Sequence, residues 1–317
     1  MMRAVRVYRG MSRTSLARMA LIAGFAAAVA SAAGCTVQLD GHAFVEREEK
    51  RFEAGTAPDV TLATFDGSIQ VRPWDRQEVL VEVEKRGSDK DAVSGIQVAG
   101  EQKGNSISVD VRKPASEKEF IGFGIHHSTS ARLVASVPRG SRLTLTTRDG
   151  AITVERVDGR LELRTDDGSV RVSEAAGDLT VVTRDGSITL DRVGGRVDAR
   201  SGDGGIRVSG APSVLTLETR DGSVVVRAER DTVMQDDWSV RTGDGSVVVE
   251  LPEGFGAEID AETEDGSVRS ELPVTGGSAA EAGDRRESRR SLRGKLGAGG
   301  KVLRLRTSDG SIRLRTS

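Results

Sequence analysis

The chain has 317 residues, with 46 lysines and arginines against 48 aspartates and glutamates, one cysteine, three histidines and 3% aromatic residues. That balance excludes binding nucleic acid through bulk charge, and a lone cysteine excludes an internal disulfide. Glycine is abundant at 38 residues while bulky core fillers are scarce, which suits a thin layered fold with many corners.

Residues 1–34 read as a signal peptide. Arg3, Arg6, Arg9, Arg13 and Arg18 form a basic region without acids, and the apolar stretch Met19–Ala33 follows. Its 15 residues fall short of the roughly 20 that a spanning helix needs. It ends in Ser31-Ala32-Ala33-Gly34-Cys35, which resembles a bacterial lipobox and predicts lipidation of Cys35, although Ala32 stands where such boxes more often have Leu. Ordinary cleavage at Ala30-Ser31-Ala32 is the alternative, and it would leave Cys35 a free thiol. Thr36, not Asp, follows the cysteine; by resemblance to Gram-negative lipoproteins this lacks the inner-membrane retention signal. The expected location is the cell envelope, lipid-anchored at the outer membrane and facing either the periplasm or the surface. Removing the leader takes away five arginines and leaves a net charge near −7.

Residues 35–56 read as a linker and 57–317 as one elongated all-β domain, a parallel β-solenoid. Its opening is less regular, with strand-like runs at Val60–Thr64, Ser68–Arg72, Val79–Glu84, Ser106–Arg112, Arg132–Pro138 and Arg142–Thr147. From there a phrase of Thr or Ser, any residue, then Asp-Gly recurs. Over the whole chain its aspartates are Asp66, Asp149, Asp167, Asp185, Asp203, Asp221, Asp244, Asp265 and Asp309, and from Asp149 to Asp221 the step is always 18 residues. A fixed period of this length means stacked coils that bury their core against one another. Gly159, Gly177, Gly195 and Ser213 mark the mid-point, so each coil holds two short strands. Side-chain alternation within each strand then gives four inward columns. They are Ile152/Val170/Ile188/Ile206/Val224, Val154/Val172/Leu190/Val208/Val226, Leu161/Leu179/Val197/Leu215 and Leu163/Val181/Ala199/Leu217. Insertions interrupt the repeat at 228–237 and 276–300. About ten coils are expected, with strands stacked about 4.8 Å apart.

The corners carry the recurrent polar chemistry. Asp-Gly tolerates the positive φ of a tight turn, and the Asp carboxylate can accept backbone N–H groups two residues on. Thr147, Thr165, Thr183, Ser201, Thr219, Thr242, Thr263 and Thr307 are expected to point inward as a hydroxyl ladder satisfied between coils. Stacked carboxylates repel by about 0.9 kcal/mol per neighbour in water. Arg148, Arg184 and Arg220 stand beside alternate aspartates and can neutralise them. The row lacks the glycine spacing of calcium-binding nonapeptide coils, so the column reads as turn plus salt bridge, with no metal and no cofactor.

Asp66-Gly67-Ser68-Ile69-Gln70-Val71-Arg72-Pro73-Trp74-Asp75, Val137-Pro138-Arg139-Gly140, Glu271-Leu272-Pro273-Val274, the Gly297–Gly300 stretch and the closing Thr307–Leu314 resemble a named family. It is the candidate-adhesin family of bacterial β-strand-repeat proteins, a domain of unknown function. The resemblance covers about Asp59 to Arg315 and implies the solenoid fold. No catalytic or ligand residue comes with it, because fold does not carry function.

Other candidate chemistry is thin. His126-His127 in a Gly/Ser loop and His42 are too sparse for a zinc site. Leu272-Pro273-Val274-Thr275-Gly276 spells a sortase-type signal, but no apolar segment and basic tail follow it. Carboxylate pairs suited to glycoside hydrolysis all arise from the repeat, with no unique partner. The insertion Asp284–Lys295 gathers Arg285, Arg286, Arg289, Arg290, Arg293 and Lys295, a possible anion-contact loop toward phosphate-bearing envelope glycolipid. The resulting expectation is a non-catalytic envelope lipoprotein, an adhesin or surface-display scaffold, with an unidentified envelope or surface partner and no nucleic acid. One alternative is end-to-end polymerisation through solenoid ends, prompted by the strand Ile312–Arg315 just before Ser317. Another is a carbohydrate-acting β-helix enzyme.

Overall fold

The computed structural model describes residues 36–40, 43–113, 129–276 and 290–317. Strands β1 (Thr36–Asp40), β2 (Ala43–Glu53), β3 (Asp59–Thr64), β4 (Ile69–Trp74) and β5 (Glu78–Gly87) precede a one-turn helix, α1 (Lys90–Ser94). Then come β6 (Gln97–Lys103), β7 (Ser106–Arg112) and β8 (Ser130–Pro138). The regular coils are β9 (Arg142–Thr146) with β10 (Ile152–Glu155), β11 (Leu161–Arg164) with β12 (Val170–Ala175), and β13 (Leu179–Val182) with β14 (Ile188–Val193). They continue as β15 (Arg196–Ser201) with β16 (Ile206–Gly210), β17 (Val214–Asp221) with β18 (Val224–Ala228), and β19 (Trp238–Asp244) with β20 (Val247–Leu251). The chain finishes with β21 (Ala257–Asp265), β22 (Val268–Ser270), β23 (Val274–Thr275), β24 (Ser291–Leu296), β25 (Val302–Asp309) and β26 (Ile312–Thr316).

Two sheets of 13 strands result, and the two strands of each coil belong one to each sheet. Within the coils all pairing is parallel and the inward columns hold the expected register, with one slip between β14 and β16 where Val193 meets Gly210. Ile152, Val170, Ile188, Ile206 and Val224 are successive partners, as are Leu161, Leu179, Val197 and Leu215. All four inward columns are buried and join one continuous core. Burying a Val, Leu or Ile side chain is worth about 1.5–3 kcal/mol, so a coil supplying four or more is held by its neighbours and not by itself.

The stacking order departs from the chain order at both ends. β3–β4 lies between β7–β8 and β9–β10, and β25–β26 lies between β19–β20 and β21–β22. The strand Ile312–Thr316 is therefore paired on both sides, by Val247–Leu251 and by Val268–Ser270. The open edge expected at Ile312–Arg315 does not exist.

The first end of the stack is finished by antiparallel strands in both sheets, the far end in the second sheet only, since β22 there runs parallel to β26. β2 pairs with β5 over ten residues, β5 with β8, and β6 with β7. At the far end β24 runs antiparallel to β21. Residues 35–56 are thus not a linker throughout, because β2 is an integral strand whose Phe52 reaches the core. Likewise the insertion 276–300 contributes β24, which extends the second sheet. Antiparallel pairing suits a cap, since it turns the last ladder back on itself and leaves less unpaired edge. Under this cap Lys85 is buried, with Nζ 3.2 Å from Glu46 and 3.1 Å from Glu48.

Candidate functional site

The recurrent polar feature is the Asp-Gly corner, and its wiring repeats coil by coil. Thr165 Oγ1 donates to the Gly150 carbonyl at 3.0 Å, Thr183 to Gly168 at 3.2 Å, Ser201 to Gly186 at 2.9 Å and Thr219 to Gly204 at 2.9 Å. The same hydroxyls accept the glycine N–H of their own turn, at 3.2 Å for Gly168, 3.1 Å for Gly186 and 3.0 Å for Gly204. The ladder therefore runs from hydroxyl to carbonyl and not from hydroxyl to hydroxyl. The turn N–H that the sequence assigns to the aspartate belongs to the Thr or Ser.

The expected positive φ is found at the corner glycines Gly67, Gly266 and Gly310, but in the regular coils the corner glycine has a different cause. A Cβ on Gly186 would lie 1.9 Å from the Gly168 carbonyl oxygen, and one on Gly168 would lie 1.9 Å from that of Gly150. Glycine is required because the coils touch backbone to backbone there. A positive φ appears instead at a corner the sequence did not announce. Arg156, Glu174 and Arg192 adopt φ of 52°, 56° and 51°, one coil apart, and Gly210 takes the next slot. Only that glycine hints at the conformation, since Arg and Glu are not left-handed formers.

Freed from the turn, the aspartates point outward and meet arginines. Arg184 bonds Asp167 at 2.5 Å and Asp185 at 3.3 Å; Arg220 bonds Asp203 and, at 3.4 Å, Asp221. The Arg184 guanidinium holds the Asp167 carboxyl below its ordinary value. Asp149 is pushed up, first by its hydrogen bond with Asp66 and then by burial. Asp66 itself is paired with Lys113 at 2.9 Å. Asp221, Asp244, Asp309 and Asp265 continue the column in register.

Of the six cations expected in a free loop, Arg285, Arg286 and Arg289 lie outside the described residues. The others are engaged. Arg290 faces Asp265 at 3.5 Å, Arg293 faces Asp260 at 3.2 Å and Lys295 faces Glu258 at 3.6 Å, all carboxylates of β21. Arg293 and Lys295 are strand residues of β24 and not an open anion cradle. Cys35, His42, His126 and His127 also lie outside the described residues. Val274–Thr275 of the sortase-like phrase forms β23. A cleft of about 580 Å³ opens between the first insertion and the turns at 252–256 and 299–301. Glu253 is the one carboxylate among its lining residues, so it lacks the pair that glycoside hydrolysis uses.

Residues 59–315 match the model of Toastrack DUF4097. The chain belongs to that family. The Toastrack match starts at β3, so β1 and β2 precede it. No curated protein matches the chain. Two solved structures are similar to it. One is named a "putative cell adhesion protein" from Clostridium sporogenes, with 12% identity, a TM-score of 0.25 and coverage of 86% of this chain and 100% of that one. The other is named a "putative adhesin" from Bacteroides fragilis, with 12% identity, a TM-score of 0.40 and coverage of 84% and 96%. Those names describe those proteins. Among the described residues of this Toastrack chain, no helix is long and apolar enough to cross a membrane.

Proposed function

We propose that this Toastrack protein is exported, carries lipid on Cys35, and acts at the outer membrane as a non-catalytic binding protein, an adhesin or display scaffold. The observation that carries the reading is the self-neutralised repeat. Each of Arg184 and Arg220 spans two corner aspartates, so Asp167, Asp185, Asp203 and Asp221 are occupied in two like units. Catalysis needs unlike groups set apart in one place, whereas a periodic surface serves contact with something extended. The names of the two similar structures, adhesin and cell adhesion protein, agree with a binding role. End-to-end polymerisation has lost its motive, because the Ile312–Thr316 strand is enclosed.

Fractionation and turnover together test the proposal. Wild type should pellet with membranes and incorporate labelled fatty acid, Cys35→Ser should move to the soluble fraction, and neither should release sugar from envelope glycans. A wild type that is soluble and unlabelled, or any glycan cleavage by the purified chain, refutes it.

A further inference from the structure

One outward column carries cations without an ion-pair partner among the described residues. On the first sheet Gln70, Thr153, Arg171, Thr189, Arg207, Val225, Val248, Arg313 and Arg269 are successive partners across the strands. The column contains no carboxylate. Its four arginines are exposed, and among the described residues none has an ion-pair or hydrogen-bond partner. Several corner and second-sheet arginines differ, since Arg184, Arg220, Arg293 and Arg306 each hold an acid, while Arg148, Arg164 and Arg241 stand apart from one another without an ion pair among the described residues.

The flanks of this column differ. On the corner side runs a row of small residues, the hydroxyls Ser169, Ser187, Ser223, Ser246, Ser311 and Ser267, broken by Gly205 beside Arg207. Their carbonyls hold the inward strand residues of the neighbouring coils, for example Val170 N to Ser187 O at 2.9 Å and Val247 N to Ser311 O at 3.0 Å, so they stay in register. On the other side runs a row of mixed character, Glu155, Ser173, Asp191, Ser209, Arg227, Glu250 and Arg315, in which Arg227 holds Glu250 at 2.6 Å. The strip of unpaired arginines is therefore one residue wide, bordered by small residues on one side and by a row of mixed charge on the other.

We infer that this strip is a binding track for a linear acidic polysaccharide lying across the strands, its carboxylates on Arg171, Arg207, Arg313 and Arg269 and its hydroxyls against the serine row. Stacked strands repeat every 4.8 Å or so, which puts the first two arginines about 10 Å apart and the last two about 5 Å apart. A polymer with anions at regular short intervals meets them in step. Width selects this partner over the other polyanions. A lipid surface or a nucleic-acid duplex would also press on Glu155 and Asp191, which stand on either side of Ser173 beside Arg171, and like charges brought together cost affinity. Single-stranded nucleic acid wants aromatic platforms, and the column offers none.

The inference rests on the reading that the domain binds without turnover, and one experiment separates the two. Full-length chain in mild detergent is titrated with polygalacturonate, which has one carboxylate per sugar, with neutral dextran as comparator. Wild type should bind the acidic polymer alone and lose it at about 0.5 M salt. Replacing Arg171, Arg207, Arg269 and Arg313 together by Gln should weaken binding at least roughly tenfold. A control replacing Arg148, Arg164, Arg196 and Arg241 by Gln makes the same change in net charge elsewhere and should stay within about twofold. Thr189→Asp, which sets an acid between Arg171 and Arg207, should weaken binding without lowering the melting temperature. No binding by wild type, or equal losses in the two quadruple variants, overturns the track. So does equally strong, equally Arg-dependent binding to phosphatidylglycerol vesicles or duplex DNA. Shortening of the polymer would instead refute the non-catalytic reading, whatever the arginine variants do.

Discussion

Thr183 shows how one side chain ties two coils. It gives its hydrogen to Gly168 O and takes one from Gly186 N, both buried against the core. Thr183→Val keeps the shape and deletes both bonds, leaving a buried donor and acceptor unmet. Thermal or urea unfolding should show a loss of about 1–3 kcal/mol, with Thr183→Ser nearly wild type. The adjoining glycine is less forgiving. Gly186→Ala drives a methyl into the Gly168 carbonyl, so the two coils must part; a loss of several kcal/mol, about 3 or more, is expected in the same measurement. Asp185→Asn beside it gives up only an exposed bond to Arg184 and should unfold within about 1 kcal/mol of wild type. A larger effect at Asp185 than at Gly186 would mean that the carboxylate, and not backbone contact, closes the corner.

A strand of this solenoid is defined by which residues face in. Ile188 is fully buried between Val170 and Ile206, while its neighbour Thr189 faces out between Arg171 and Arg207. Ile188→Asp places an unpaired charge in the core and should abolish cooperative melting or lower the midpoint steeply, whereas Thr189→Asp should change it little. Equal losses would contradict the alternation. This level was the most readable in the sequence, because an 18-residue period leaves each strand position a fixed slot and apolar residues fill the same slots every time. The capping elements were not readable. β2 and β6 bond antiparallel partners outside the repeat, so no recurrence marks them. The exposed β6 alternates only partly buried with exposed residues, and α1 is a single turn capped by Asp89. The left-handed corner at Arg156, Glu174 and Arg192 was equally silent, since packing imposes it against residue preference.

The molecule as a whole should be sensitive to acid at its caps. Burial pushes the Glu48, Glu84 and Asp260 carboxyls up, but hydrogen bonds outweigh it, from Lys50 and Lys85, from Arg86 and Arg47, and from Arg306 and Arg293 respectively. Their net values lie below the ordinary 4.5 and 3.8. Groups depressed by folding stabilise above the unfolded value and lose that contribution as pH falls through the folded one. Asp149, raised mainly by Asp66, acts oppositely, favouring the fold when protonated; it is exposed and single, so the depressed group dominates. Lys85, on which the bonds to Glu48 and Glu46 outweigh burial, is raised, and its contribution fades only at pH above 10.5. The melting temperature should hold between pH 5 and 7 and fall below about pH 4. A midpoint that rises on acidification below pH 4 would show that the Asp66–Asp149 repulsion governs instead.

At this scale the sequence was ambiguous about neighbours. Each coil presents the same in-register faces, so nothing in the repeat says that 302–316 should slip beneath 257–270 or that 59–74 should sit inside 106–138. The candidate binding track was equally hidden. Its arginines come from coils whose adjacency depends on that order, Arg313 meeting Arg269 only because β26 lies beside β22.

Interleaved coils also change how such a stack bears load. In a solenoid wound in strict sequence, tension on the C terminus peels the last coil away one hydrogen bond at a time. Here the final strand is gripped on both flanks, so a pull on Ser317 must shear two ladders together before anything unravels. The other end is locked likewise, with β4 held between β8 and β10. A pull through the first strands meets the outer antiparallel pairs before this inner coil, because β2 and β5 lie outside β8 and β4.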